Sequence, residues 1–347
     1  MKDLDHSKFA AAIFGIMVTV AIVTIVCIIG FGNRIFRMLE DDQQEGISGK
    51  HYAFIYDDIQ GGFYKAVYEG AYKKAEEYGD YLENIGSNLP FSQNKFERME
   101  IAIDAKVDGI IVDAGETEAM RTLINRADKE GIPVITVGSD STSSARRSYV
   151  GFGYYDLGVK YGKELLKRAT DEQKEVVILT SPDADDSSQN IIIQGIRETI
   201  ERAYASDSFN IGTIAINDNT AFGAEESISR LIMKNDELPD IMICLNEVNT
   251  TCLSQALVDY NKVGQSVVYG FFENHTILSA IQKNIIYGTM TVDTGKMGRY
   301  CIETLKECED TGYVNEYMPV DIRVVTTENI NEYIDEKKEE GTYDQTG

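Results

Sequence analysis

Seven short apolar runs recur along the chain, at 52–56, 109–112, 133–137, 176–179, 211–216, 241–245 and 267–270. None alternates polar with apolar residues, so each fits a strand buried on both faces. A stretch with helical spacing follows each run. After the first, Val67, Gly70, Ala71 and Ala75 share one helical face, with Lys65, Glu69, Lys73 and Glu76 around it. Gly70 costs about 1 kcal/mol against Ala inside a helix, which marks a close helix–sheet contact. A helix over 117–130 stops at Gly131, with Pro133 beyond it. Strands alternating with helices predict an α/β fold with doubly wound parallel sheets, helices on both faces. The length, 347 residues, gives room for two such domains.

Composition narrows the function. Lys and Arg total 33 against 57 Asp and Glu, a formal charge of −24. Such a surface repels phosphate backbones, which argues against nucleic acid as a partner. Only His6, His51 and His275 occur, scattered, so His-built metal sites and His-relayed nucleophiles are disfavoured. The five Cys have no paired spacing; Cys301 and Cys308 lie about 10 Å apart on a helix, too far to bridge. They read as small buried hydrophobes. No phosphate-cradling loop, complete dinucleotide fingerprint, nucleophile elbow, H-E-x-x-H or C-x-x-C is present. The acidic run 183–186 lacks the glycine and spacing of a calcium loop and reads as solvated. No metal or cofactor is expected.

Residues 9–32 carry no charge. As a helix they span about 36 Å, enough to cross a hydrocarbon core with some tilt. The run is too long for the apolar part of a cleavable signal peptide, and reads as an uncleaved anchor. Lys2 and Lys8 before it nearly balance Arg34 and Arg37 after it, so charge sets the orientation weakly. Residues 1–8 are then a cytoplasmic stub, and the polar stretch 33–50 a linker.

In doubly wound sheets, ligands bind beyond the carboxyl ends of the strands. Those ends carry Asp57, Asp58, Gln60, Phe63 and Tyr64 after the first run; Asp113 after the second; and Asp140 after the third. The later runs lead to Asn190, Asn219, Asn246, Glu247, Phe271, Phe272 and Glu273, and Asp293 follows further on. Carboxylates and amides bond vicinal hydroxyls, and aromatic faces cover the C–H surface of a sugar ring. Helix capping accounts for any single Asp or Asn at such an end, but not for the aromatic pairs.

From about residue 51 to 327 the chain resembles the type I periplasmic sugar-binding proteins, the ribose- and galactose-binding relatives of the LacI-type repressor core. The resemblance is carried by FIYDDIQGGFYKAVYEGAYKKAEEYG, KVDGIIVDAGETEAM, GIPVITVGSDS, SYVGFGYYDLG, PDIMICLNEVNTTCLSQAL, VVYGFF and YGTMTVDTGKMG, in order. It implies two lobes joined by three crossings: 51–153 plus about 293–320, and 154–292 plus about 321–330. The tail over 331–347 is charged and reads as mobile or a surface helix. The resemblance also implies that Phe63 and Tyr64 sandwich a sugar and that Asp113 reaches its hydroxyls. The pattern departs at Gly138-Ser139, where Asp-Arg or Asp-Ser is common and Asp140 follows. It departs again at Asn190 for an expected Arg, at Asn219 for an aromatic, and at Phe272, before Glu273, for an Asp. Asn246 and Glu247 match the family's Asn-Asp pair only with a small insertion, and Asp293 lies near the hinge. These departures argue against an ordinary ribose-type site.

The expectation is a membrane-anchored, extracytoplasmic, non-enzymatic binding protein for a sugar or small polyol. Its two lobes close on the ligand by a hinge, and an ABC permease or a sensor histidine kinase reads the closed form. Two alternatives stand beside it. One is a glycoside-processing enzyme using paired carboxylates such as Asp57 and Asp113. The other is a ligand-free interaction module.

Overall fold

The computed structural model describes residues 49–56, 62–85, 94–182, 187–217, 220–234 and 236–339. The chain separates into Met1–Gly49 and a compact unit, Lys50–Gly347. The expected anchor at 9–32, the linker before Gly49, the acidic run 183–186 and the tail beyond Glu339 lie outside the described residues. Among those described, no helix is long and apolar enough to cross a membrane.

Among the described residues, the compact unit contains two six-stranded sheets. The first holds β1 (His51–Ile55), β2 (Tyr81–Asn84), β3 (Gly109–Val112), β4 (Val134–Val137), β5 (Ser148–Gly151) and β11 (Tyr317–Pro319). Its order is β11-β5-β4-β3-β1-β2, and every pairing is parallel. The second holds β6 (Lys174–Thr180), β7 (Phe209–Ala215), β8 (Ile241–Cys244), β9 (Val267–Phe271), β10 (Gly288–Val292) and β12 (Ile322–Thr326). Its order is β12-β10-β9-β8-β6-β7, with β12 alone antiparallel to its neighbour. The chain therefore passes between the sheets three times: after β5, after β10 and after β11.

All seven apolar runs of the sequence are strands. Those at the sheet centres, GIIV, VITV and IMIC, are buried throughout, because helices cover both of their faces. The remaining five strands carry Glu83 and Asn84, Ser148, Thr289 and Thr291, Tyr317, or Arg323, and do not stand out as apolar runs.

Helices α1 (Gly62–Tyr78), α2 (Lys95–Asp104) and α3 (Glu118–Lys129) connect the strands of the first sheet. Then come α4 (Tyr154–Leu166), α5 (Ser187–Arg202), α6 (Ala221–Lys234), α7 (Glu247–Asp259) and α8 (His275–Gln282). Last are α9 (Thr294–Thr311) and α10 (Ile330–Glu339). The third helix starts where predicted. The Thr117 hydroxyl accepts from the Met120 N–H, and Gly131 ends the turn with φ +82°. In the tail, α10 is a docked helix, with Ile330, Tyr333 and Ile334 buried.

Gly70 does mark a close contact, but the neighbour is a helix and not the sheet. A Cβ there would lie 2.6 Å from the Gly295 carbonyl oxygen, and one on Gly298 would lie 2.1 Å from that of Val67. The backbones of α1 and α9 thus touch through glycines. A second pair, α4 and α5, touches in the same way at Gly158 and Gly195.

Candidate functional site

The first turn of α1 carries Phe63 and Tyr64 to the carboxyl end of the first sheet. Asp113 directly follows β3, and its N–H bonds the Ile55 carbonyl. The Tyr64 hydroxyl donates to Asp113 Oδ1 at 2.7 Å, and Lys95 Nζ lies 3.7 Å from Oδ2. Asp113 is only 2% exposed, so these partners offset much of the cost of burying its carboxylate. Burial first, then the Asp113 charge, keeps the Tyr64 hydroxyl protonated well above its ordinary range. Gly138, at the end of β4, makes room for it: φ is +72°, and a Cβ would sit 2.4 Å from the Tyr64 hydroxyl. Tyr149 and Tyr154 both donate to the Gly138 carbonyl.

From the second sheet, Asn246 caps α7 by accepting from the Asn249 N–H. Glu247 is the next residue and is 9% exposed. Its Oε2 accepts from the Phe63 N–H at 3.1 Å, and its Oε1 accepts from Asn274 Nδ2 at 2.7 Å. Burial pushes the Glu247 carboxyl up, against the pull of the Asn274 amide and the Gly62 and Phe63 N–H groups. Beyond β9, Phe272 has φ +76°, a backbone state that a bulky side chain rarely adopts. The state is fixed by its N–H bonding the Met290 carbonyl and its own carbonyl accepting from the Thr289 hydroxyl. The Phe272 ring meets Phe63 edge-on at 5.5 Å, and Phe271 meets both Phe63 and Phe152.

The carboxyl ends of the two sheets therefore face each other, and the rings and carboxylates they carry are in contact. Of the residues singled out in the sequence, the structure gathers Phe63, Tyr64, Asp113, Glu247 and Phe272 here. Others have different partners. Asp140 is held by Arg146 at 2.5 and 2.7 Å and by the Thr136 hydroxyl. Glu273 bonds Lys337 and the Tyr333 hydroxyl on α10. Asp293 caps α9 through the Lys296 N–H. Asn190 is exposed on α5. Asp57, Asp58, Gln60 and Asn219 lie outside the described residues. Phe152, Asn274 and Lys95 join the cluster without having been singled out. Phe152 sits at a chain crossing and Asn274 three residues past a strand, where only the fold gives them meaning.

Two surface depressions lie at the opposite, amino-end poles. One, about 650 Å³, is lined by Lys50, Asp108, Pro133 and Arg147; the other, about 360 Å³, by Lys174, Asp240 and Ser266. Among the described residues, no group of three or more His, Cys, Asp or Glu is placed to hold a metal.

Residues 52–310 match the family model described as periplasmic binding protein domain. The chain belongs to this family. The periplasmic binding protein fold also recurs in solved structures. GanP, a glucose-galactose binding protein from Geobacillus stearothermophilus, is 21% identical at a TM-score of 0.70, covering 81% of this chain and 99% of its own. A solute-binding protein from Burkholderia graminis, solved with D-arabinose, is 21% identical at a TM-score of 0.71, covering 82% and 97%. XylFII in its complex with LytSN is 22% identical at a TM-score of 0.69, covering 81% and 98%. At such identities the likeness carries the fold: two α/β halves on largely parallel sheets, that of the type I periplasmic sugar-binding proteins. No curated protein matches. The family is described as a binding-protein domain, and GanP and the Burkholderia graminis protein are named for binding.

Proposed function

We propose that this protein binds a sugar or related small polyol between two lobes, 51–153 plus about 293–320 and 154–292 plus about 321–330. One observation carries the reading. Sheet ends from both halves meet at an aromatic and carboxylate cluster, in which Phe63, Tyr64 and Asp113 of the first sheet's half would hold the ligand, and Phe272 and Glu247 of the second lie against them. Rings supply faces for C–H surfaces, and carboxylates supply acceptors for hydroxyls. The apolar run 9–32 would anchor the protein in the cell membrane with the lobes outside. An ABC permease or a sensor histidine kinase would read the closed form; that XylFII was solved with a second protein, LytSN, makes a protein reader reasonable. Calorimetry or thermal shift with a carbohydrate panel tests this, since the chain has no Trp to report binding. Stabilisation by at least one sugar or polyol is expected; none across the panel would refute it.

A second reading is a ligand-free interaction module. The contact of Glu247 with the Phe63 N–H favours it, because the two halves already touch through their own groups. Such a module would keep its partner binding in Phe63→Ala and Asp113→Ala, and a sugar-responsive protein would lose it.

A further inference from the structure

We propose that the Glu247 carboxylate and the Phe272 ring are a built-in occupant of the ligand position, which an incoming ligand has to displace. The inference rests on the sugar-binding reading above and concerns how that site is regulated.

Both groups come from the second sheet's half and act on the same residue of the first. The Phe63 N–H belongs to the first turn of α1, whose backbone donors have no acceptor within the helix. Glu247 Oε2 fills that need at 3.1 Å, and Asn274 steadies the other carboxylate oxygen. A Cβ on Gly62 would lie only 3.2 Å from Glu247 Oε1, so the carboxylate is seated close against the start of the helix.

Phe272 completes the occupant. A left-handed backbone at a bulky residue costs about 1–2 kcal/mol, yet the Met290 carbonyl and the Thr289 hydroxyl hold it there. The result is a ring seated against Phe63, with Cε1 3.6 Å from where a Gly62 side chain would begin. Phe272 is 3% exposed and Phe63 7%. Together the two groups present an oxygen edge to the Phe63 N–H and an apolar ring, set edge-on, to the Phe63 ring. A hydroxylated ring offers the same outline, an acceptor oxygen beside a C–H face. A ligand lacking either part cannot replace what it displaces. With the occupant in place the halves stay together unliganded, and apparent affinity is the intrinsic affinity multiplied by the fraction of molecules in which it has withdrawn.

The test uses the full-length protein, wild type against Glu247→Ala, Phe272→Gly and the double variant. Glycine adopts the left-handed backbone freely, so Phe272→Gly removes the ring without disturbing the turn. Exchange of the Phe63 amide and the radius of gyration by X-ray scattering are read without ligand. The carbohydrate panel, D-galactose and D-arabinose included, is then titrated by calorimetry. The double variant is expected to exchange the Phe63 amide about tenfold faster, expand, and bind one of these sugars about tenfold tighter than wild type. Unchanged exchange and size would overturn the proposal. So would faster exchange with equal affinity in wild type and variant. Faster exchange with no sugar bound by either protein would uphold the occupant and overturn the sugar reading instead.

Discussion

Glu247 Oε2 lies 3.1 Å from the backbone nitrogen of Phe63, joining residues 184 positions apart and carried by different sheets. That carboxylate is almost fully buried, and the groups that bond it are neutral: two backbone N–H groups and the Asn274 amide. The contact therefore costs more when Glu247 is charged than when it is protonated.

Stability should follow that cost with pH. Burial raises the Glu247 pKa above its ordinary 4.5, so its favourable contribution is present below that range and is lost as pH rises through the raised value. Glu247→Gln keeps an acceptor oxygen and cannot ionise. It should melt higher than wild type at pH 7, by roughly 1.4 kcal/mol for every tenfold gain in the carboxyl's proton affinity on folding, with the gap closing toward pH 4. Glu273 is raised by burial too, so the difference between the two proteins is the measurement, not the wild-type profile. A variant that melts lower at pH 7 would contradict this account.

Tyr64 and Gly138 should behave as a coupled pair. Gly138→Ala puts a Cβ 2.4 Å from the Tyr64 hydroxyl and forces alanine into φ +72°. Urea unfolding should show a loss of about 2 kcal/mol or more. Tyr64→Phe removes the donor to buried Asp113 and should cost about 1–3 kcal/mol. In the double variant the 2.4 Å contact goes while the ring carbons Cε1 and Cζ stay at 2.9 and 3.0 Å, so the clash is eased in part and the two losses should sum to more than the observed one. Additive losses would mean that the hydroxyl is not what fills the space above Gly138.

Much of this fold was legible in the sequence because buried parallel strands announce themselves. GIIV, VITV and IMIC have helices on both faces and no reason to alternate. Gly288–Val292, which is as fully buried, carries Thr289, whose hydroxyl bonds the Phe272 carbonyl, so this polar residue is there for the turn and not for solvent. The candidate site was only half legible. Strand-end position pointed to Phe63, Tyr64, Asp113, Glu247 and Phe272, because β-strand ends are where α/β sheets gather ligands. It equally pointed to Asp140 and Glu273, whose partners Arg146 and Lys337 come from 6 and 64 residues away and could not be assigned by spacing. Nor could spacing say that Gly70 meets α9 instead of the sheet, since that needs the chain's return after β10.

Two glycines with opposite surroundings test the helix contact. Gly298→Ala would bring a methyl within 2.1 Å of the Val67 carbonyl oxygen and 2.4 Å of the Ala71 nitrogen, both backbone atoms that cannot turn aside. Separation of α1 from α9 should cost about 1–3 kcal/mol or more. Gly212, on β7, has nothing within 4 Å of its missing Cβ. Gly212→Ala should be neutral or stabilise by about 0.4–1 kcal/mol through the unfolded chain. Equal effects of the two substitutions in denaturant titrations would refute the close packing.

Asp140 offers the sharpest separation of structure from binding. Arg146 Nε and Nη2 meet its two carboxylate oxygens at 2.5 and 2.7 Å, and the Thr136 hydroxyl and the Ser141 N–H bond Oδ1 as well. Arg146 also donates to the Glu316 carbonyl, so the pair ties the loop after β4 to the segment entering β11. The Arg146 side chain is buried, so Asp140→Ala would leave a guanidinium without its counter-charge. Removing one partner of a buried pair costs about 3–5 kcal/mol. The expected result is a large fall in melting temperature with the order of preference across the sugar panel unchanged, because both oxygens are engaged by Arg146 and Oδ1 already accepts three bonds. The double variant Asp140→Leu, Arg146→Met replaces both charges by apolar groups and should recover most of the stability. A changed sugar preference in that recovered variant would place Asp140 among the ligand contacts after all.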